Sequence, residues 1–219
     1  MKKFLFWQKG IDRDVLKSNL WGMFALGILV FIDMLTKIVA DAYFSQAGAP
    51  NRIDLIPGYL DLQIKYNEGM AFSIGADASP EVKMAVVAGT GLLFVGLLVF
   101  FFTLDRRRTW MRWALIFIVG GGIGNFIDRS LYLANPAVLA GVRDMVRLKI
   151  WFMDFGVCNF ADFFVVGGSI AFALAVIFFD GMAMIPLTKK YKAMAIVMEE
   201  QEKEKEALKK AKKEEKAKK

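Results

Sequence analysis

The 219-residue sequence is 56% hydrophobic, with no histidine, one cysteine and a net charge of +7; with a mean hydropathy of +0.41 it exceeds soluble usage and is built for lipid. The missing imidazole excludes a Ser-His-Asp triad, a Cys-His pair and a His-Glu-x-x-His zinc site, and the lone Cys158 excludes an internal disulfide. Positive charge gathers at the ends and in one short internal run, which leaves no continuous basic surface for nucleic acid.

A bilayer crossing takes about 20 apolar residues. Four stretches are read as spans: Leu20 to Ala40, Met84 to Leu104, Trp113 to Ile127 and Phe163 to Met184. Lys2, Lys3, Lys9, Arg13 and Lys17 precede the first, Arg106 to Arg108 and Arg112 join the second and third, and Lys189, Lys190 and Lys192 follow the fourth. The bias of Lys and Arg toward the cytoplasm therefore puts both termini inside. A cytoplasmic segment over 1–19, a four-span membrane domain over 20–187 and a charged cytoplasmic tail over 188–219 follow from this. The first run ends near Ala40-Asp41-Ala42, a small-x-small pattern, but it contains Asp33 and Lys37, which a cleaved leader's apolar core would not carry.

Between spans one and two, Leu60, Leu62, Ile64 and Tyr66 alternate with Tyr59, Asp61, Gln63 and Lys65, a strand period with one apolar face. Val146, Leu148, Ile150 and Phe152 repeat the pattern between spans three and four, with Arg147 and Lys149 opposite. The expected fold is an all-α membrane protein of four transmembrane helices with a small extracytoplasmic β-sheet resting on the outer membrane surface. The tail from Glu199 to Lys219 mixes Glu, Lys and Ala at helical pair spacings.

Ionisable groups within spans cost several kcal/mol, roughly 2.5–3.5 each on insertion scales, and so call for a partner or a task. Asp33 and Lys37 stand i, i+4 in the outer half of the first span and can pair. Near the exit of the third span, the Gly120, Gly121, Gly122 and Gly124 cluster suits close helix packing. Asn125 and Asp128 share a face there, with Arg129 beside them. Asn159 and Asp162 repeat the i, i+3 spacing at the start of the fourth span, where an N-cap alone explains part of the pattern. Asp33, Asn67, Asn125, Asp128, Asp144, Asn159 and Asp162 thus converge on one side of the membrane. Without histidine, the simplest hydrolytic engine in such a set is an aspartate pair, one ionised to activate water and one protonated to polarise a carbonyl. The residues alone leave open whether Asp128 or Asp144 partners Asp162. A small proton-coupled carrier is the alternative, though it would hold these groups near the midplane on broken helices.

Five ordered motifs carry a resemblance: Asp33-x-x-x-Lys37, Asn67-x-Gly69-x-Ala71-Phe72-Ser73, Gly121-x-x-Gly124-Asn125-x-x-Asp128-Arg129, Val142-x-Asp144-Met145 and Asn159-x-Ala161-Asp162. Together the chain resembles the lipoprotein signal peptidases, the type II signal peptidases of bacteria. The resemblance implies an aspartic endopeptidase of the bacterial cytoplasmic (inner) membrane that removes signal peptides from diacylglyceryl-modified prolipoproteins. By that likeness Asp144 and Asp162 match the catalytic pair. Asp33, Lys37, Asn67, Gly69, Phe72, Asn125, Asp128, Arg129, Asn159 and Ala161 match residues that line or support the site.

The expected partners are a lipid-modified prolipoprotein and membrane lipid, with no nucleic acid, no cofactor and no metal, the chain acting as a monomer. Three features depart from the pattern: Arg143 where an apolar residue is usual, Cys158 where Phe is usual, and a longer stretch over Ser130 to Gly141. They are expected to bear on loop shape and substrate access more than on chemistry. With no imidazole to activate it, Cys158 is expected to pack rather than react.

Overall fold

In the computed structural model, the described residues are 12–70, 74–179 and the tail positions 189, 192–193, 196–197, 199–200, 203–204 and 207. Among them, α1 (Arg13–Phe44), α2 (Pro80–Thr103), α3 (Thr109–Ala134) and α4 (Phe160–Ile177) are each long and apolar enough to cross a membrane. Four strands complete the core: β1 (Ile53–Ile56), β2 (Leu60–Asn67), β3 (Val142–Ile150) and β4 (Met153–Cys158).

Each helix starts before its apolar run, because capping chemistry and not hydropathy sets its ends. Asp12 accepts the Val15 N–H at 2.8 Å and starts α1 at Arg13, seven residues before the expected start of the apolar core at Leu20. Pro80 occupies the first turn of α2, where its missing N–H is harmless. α1 is 32 residues long and α4 only 18. The fourth span was expected to reach Met184, but the helix closes at the Phe178 cap; residues 180–184 lie outside the described set.

α3 is the central helix, with 56% of its most apolar window buried against 6% for α2. It packs on α1, α2 and α4, whereas α2 leans on α3 and turns Leu92, Leu93, Val95 and Val99 outward. Exposed leucine and valine at that density are stable only against lipid. Small residues permit the close crossings. A Cβ on Gly121 would meet the Ala161 carbonyl of α4 at 2.5 Å, and one on Gly124 would collide with the Asp33 carboxylate of α1.

The strands form one antiparallel sheet in the order β1-β2-β3-β4. It is broader than the two alternating runs suggest. β1 is an additional edge strand, and the second run does not continue through Phe152. Trp151 turns at φ 54° and starts a hairpin into β4. The alternating apolar residues of β2 are only half-buried, and Asp61 is the one strand residue of β2 that is buried. Burial in β3 is instead concentrated over Val142 to Val146, the end beside α3. In the tail, Lys203 Nζ lies 2.7 Å from Glu199 Oε1 at i, i+4 spacing, as its composition implied.

Candidate active site

Two covalent coincidences of sequence place the acidic groups. Asp144 stands on β3, two residues after the strand's start at Val142, and Asp162 stands in the first turn of α4, shortly after β4. The β3–β4 hairpin therefore brings both ends to the same corner of the sheet. Asn159 and Asp162 close a reciprocal capping box: the Asn159 carbonyl oxygen Oδ1 accepts the Asp162 N–H at 3.1 Å, and Asp162 Oδ2 accepts the Asn159 N–H at 3.0 Å. The expected N-cap role of Asn159 is thus present, and it does not exhaust the residue.

The Asn159 amide donates to Asp144 Oδ1 at 2.6 Å and to Asn125 Oδ1 at 3.0 Å. Asn125 in turn donates to Asp162 Oδ1 at 2.9 Å. Two carboxamides consequently hold the two carboxylates side by side. Asp144 is 4% exposed, and burial together with the charge of Asp162 pushes its carboxyl up to about 7. Asn159 and Asn67 oppose that shift by hydrogen bonding.

Beneath the pair lies an ionic layer. Lys37 Nζ sits 2.7 Å from Asp33 Oδ2, 2.8 Å from Asn125 Oδ1 and 3.7 Å from Asp128 Oδ2. Asp33 Oδ1 accepts the Ala161 N–H at 2.8 Å, so α1 clasps the N-terminus of α4. Asp33, Lys37, Asp128 and Asn159 are all fully buried. The expected Asp33–Lys37 pair exists, and it belongs to a network that orients Asn125.

Arg143, expected to bear on loop shape and substrate access, binds a carboxylate: its Nη2 lies 2.6 Å from Asp128 Oδ1, and its backbone N–H and Nε reach Asp128 Oδ2 at 3.1 and 3.3 Å. That forked clasp ties β3 to α3 next to Asp144 and engages both oxygens of Asp128. Asp41 at the end of α1 lies 4.0 Å from Arg143 Nη1 and accepts the Tyr66 hydroxyl. In the sequence Asp41 stands out only within a small-x-small pattern and Tyr66 only within a strand period; the pairing of a strand tyrosine with a helix-end acid has no local signature.

Arg129 donates through Nε and Nη2 to the Gly69 carbonyl at 3.2 and 3.1 Å and feels the charges of Asp162, Asp144 and Asp128. The Asn67 side chain accepts the Gly69 N–H at 3.0 Å and donates to the Met70 carbonyl at 3.1 Å, shaping the loop after β2. Phe72, with Ala71 and Ser73, lies outside the described residues. Cys158 packs under β3 with its thiol 3.3 Å from the Val146 carbonyl, and burial pushes that thiol up to about 12. It is inert at neutral pH. Among the described residues no cluster of His, Cys, Asp and Glu suited to a metal ion occurs.

Four apolar helices capped by a sheet, with a buried and a half-buried carboxylate bridged by amides at one end, define a membrane-embedded enzyme. The comparisons with known proteins specify which. A family model described as signal peptidase (SPase) II matches residues 25–178. The lipoprotein signal peptidase of Ectopseudomonas mendocina (strain ymp) is 34% identical over 153 residues, covering 68% of this chain and 83% of that one. Its counterpart from Treponema pallidum (strain Nichols) is 33% identical over 139 residues, covering 63% and 68%. A solved bacterial membrane enzyme, determined by the in meso method at 2.3 Å, superposes with a TM-score of 0.57 at 25% identity, covering 71% of this chain and 86% of that one. The chain belongs to the signal peptidase II family and is a membrane-spanning peptidase of lipoprotein processing.

Proposed function

We propose that the chain is an aspartic endopeptidase that removes the signal peptide of diacylglyceryl-modified prolipoproteins at the outer face of the bacterial inner membrane. The observation that carries this reading is the amide-bridged pair of Asp144 and Asp162, in which burial and mutual charge raise Asp144 to about 7. Such a pair retains one proton near neutrality and supplies acid and base together. Asp144 acts as the protonated member and polarises the scissile carbonyl. Asp162, which accepts the Asn125 amide and the Asn159 N–H, carries the charge and takes a proton from the attacking water.

The remaining residues fix this geometry. Lys37 orients Asn125, Asn125 and Asn159 set the spacing of the acids, and Arg143 holds Asp128 away from them. Arg129 carries positive charge toward the pair and braces the Gly69 carbonyl, where it can steady the developing oxyanion. The substrate enters sideways from the bilayer with its acyl chains in the outer leaflet, flanked by the loop that follows Asn67. Lys and Arg placement sets both termini inside, and one chain supplies every group named, which suits a monomer.

Purified protein in lipid vesicles should cleave a lipidated precursor and leave the unlipidated form intact. Asp144→Asn and Asp162→Asn should each lower the rate by about 10²–10⁴-fold or more, as for loss of a proton-transferring group, with unchanged helicity. Full activity in either variant refutes the pair.

A further inference from the structure

At the end of the bundle opposite the carboxylates, a cavity of about 220 Å³ opens between α1, α2 and α3. Ser18, Arg106, Thr109 and Arg112 give it a polar floor, and Trp21, Trp113 and Ile116 give it apolar walls. Arg112 is 4% exposed, and its hydrogen bonds go to neutral groups only: the Phe101 and Leu104 carbonyls at 2.8 and 3.1 Å and Asn19 Oδ1 at 2.6 Å. Its guanidinium stacks on the Phe101 ring with 4.0 Å to the centroid.

Among the described residues Arg112 makes no ion pair. Asp105 acts on it only through space and is itself clasped by Arg107 at 2.6 Å. Arg106 meets Asp14 at 3.1 Å, but that carboxylate is 61% exposed and easily exchanged for a better-placed anion. The same floor is the N-terminus of α3, which has no side-chain cap. A buried cation without a counter-charge beside an uncapped helix start is an anion-binding arrangement.

What surrounds it selects the anion. Trp21 and Trp113 are 66% and 45% exposed, and Phe24 stacks edge-on against Trp21 at 5.8 Å, so the cavity mouth continues into lipid-facing surface. Tryptophan at a helix end marks headgroup depth. We propose that this cavity binds one anionic phospholipid, its headgroup phosphate between Arg106 and Arg112 and its acyl chains running over Trp21 and Phe24. The site is remote from the carboxylate pair and does not depend on the peptidase reading. Bound there, the lipid ties the start of α1 to the turn between α2 and α3, as basic pockets between spans do for acidic lipids.

The test is titration of delipidated full-length protein with phosphatidylglycerol, phosphatidylcholine and inorganic phosphate, with retained ligand read by native mass spectrometry. One phosphatidylglycerol per chain should be retained in preference to phosphatidylcholine. Arg106→Gln should weaken it about fivefold, the effect expected of one arginine at a lipid headgroup. Arg112 also holds three helices together, so a second variant, Ser18→Phe, fills the cavity and leaves both arginines in place; it should abolish the one-lipid adduct. Equal retention of the two lipids, unchanged retention in both variants, or displacement by millimolar inorganic phosphate would each overturn the proposal.

Discussion

Asp144, in the proposed catalytic pair, also ties protonation to stability. Its carboxyl is held up to about 7 against an ordinary 3.8, so between those values the folded protein keeps a proton that the unfolded chain releases. The linkage sign follows: stability contributed by that proton is complete below about pH 4 and declines as pH rises through 7. Asp144→Asn should therefore unfold at a higher temperature than the parent at pH 8, and the difference should vanish near pH 4, as followed by thermal denaturation in detergent. The parent's kcat/KM should fall tenfold per pH unit beyond about 7, as the proton needed on the pair is lost. Cys158→Ala should leave cleavage within about twofold and thiol reagents should not inhibit, because a half-buried thiol held neutral is not a nucleophile. The identities of these residues were legible in the sequence. Depth and the absence of histidine pointed to the acids, and the family likeness separated Asp144 from Asp128. The contact that favours the proposed choice, the Arg143 clasp on Asp128, joins residues 15 positions apart on a helix and a strand, which no periodicity encodes.

The elements meet at two fixtures, one ionic and one steric. Removing Arg143 by Arg143→Met leaves Asp128 buried beside Lys37 alone and should cost about 3–5 kcal/mol, as when one partner of a buried pair is lost. The Arg143→Met, Asp128→Asn double variant should recover part of it in a double-mutant cycle read by thermal unfolding. Gly124→Ala drives a methyl into the Asp33 carboxylate. It should cost about 1–3 kcal/mol by overpacking and should impair precursor cleavage, since Asp33 also holds the Ala161 N–H. Element boundaries were less legible than element existence. The four spans were plain from hydropathy, yet α1 begins at Arg13 because Asp12 caps it. β4 was hidden because Trp151, a bulky residue, takes the left-handed turn usually signalled by glycine or asparagine. β1 is four residues long, though Pro57-Gly58 after it is an ordinary turn signal.

At the scale of the whole molecule, one end carries the carboxylates and the sheet, and the other carries the arginine-lined cavity. Their sidedness is open to direct measurement. In a Cys158→Ser background, Trp151→Cys, at an 84% exposed hairpin tip, should react with an impermeant maleimide added outside intact cells. A cysteine at Arg106 should react only after permeabilisation. The reverse pattern would refute the orientation set by the basic residues.

The unequal lengths of α1 and α4 have a mechanical result. At 1.5 Å per residue the first, of 32 residues, is about 48 Å long and the second, of 18, about 27 Å. The short one barely matches a hydrocarbon slab of about 30 Å. Because Asp162 rides on its first turn, a helix this short favours local thinning of the leaflet around that residue. Such thinning would bring the proposed hydrolytic centre nearer the lipid interior, while α1 runs on past the start of α4, which its Asp33 clasps, toward the sheet.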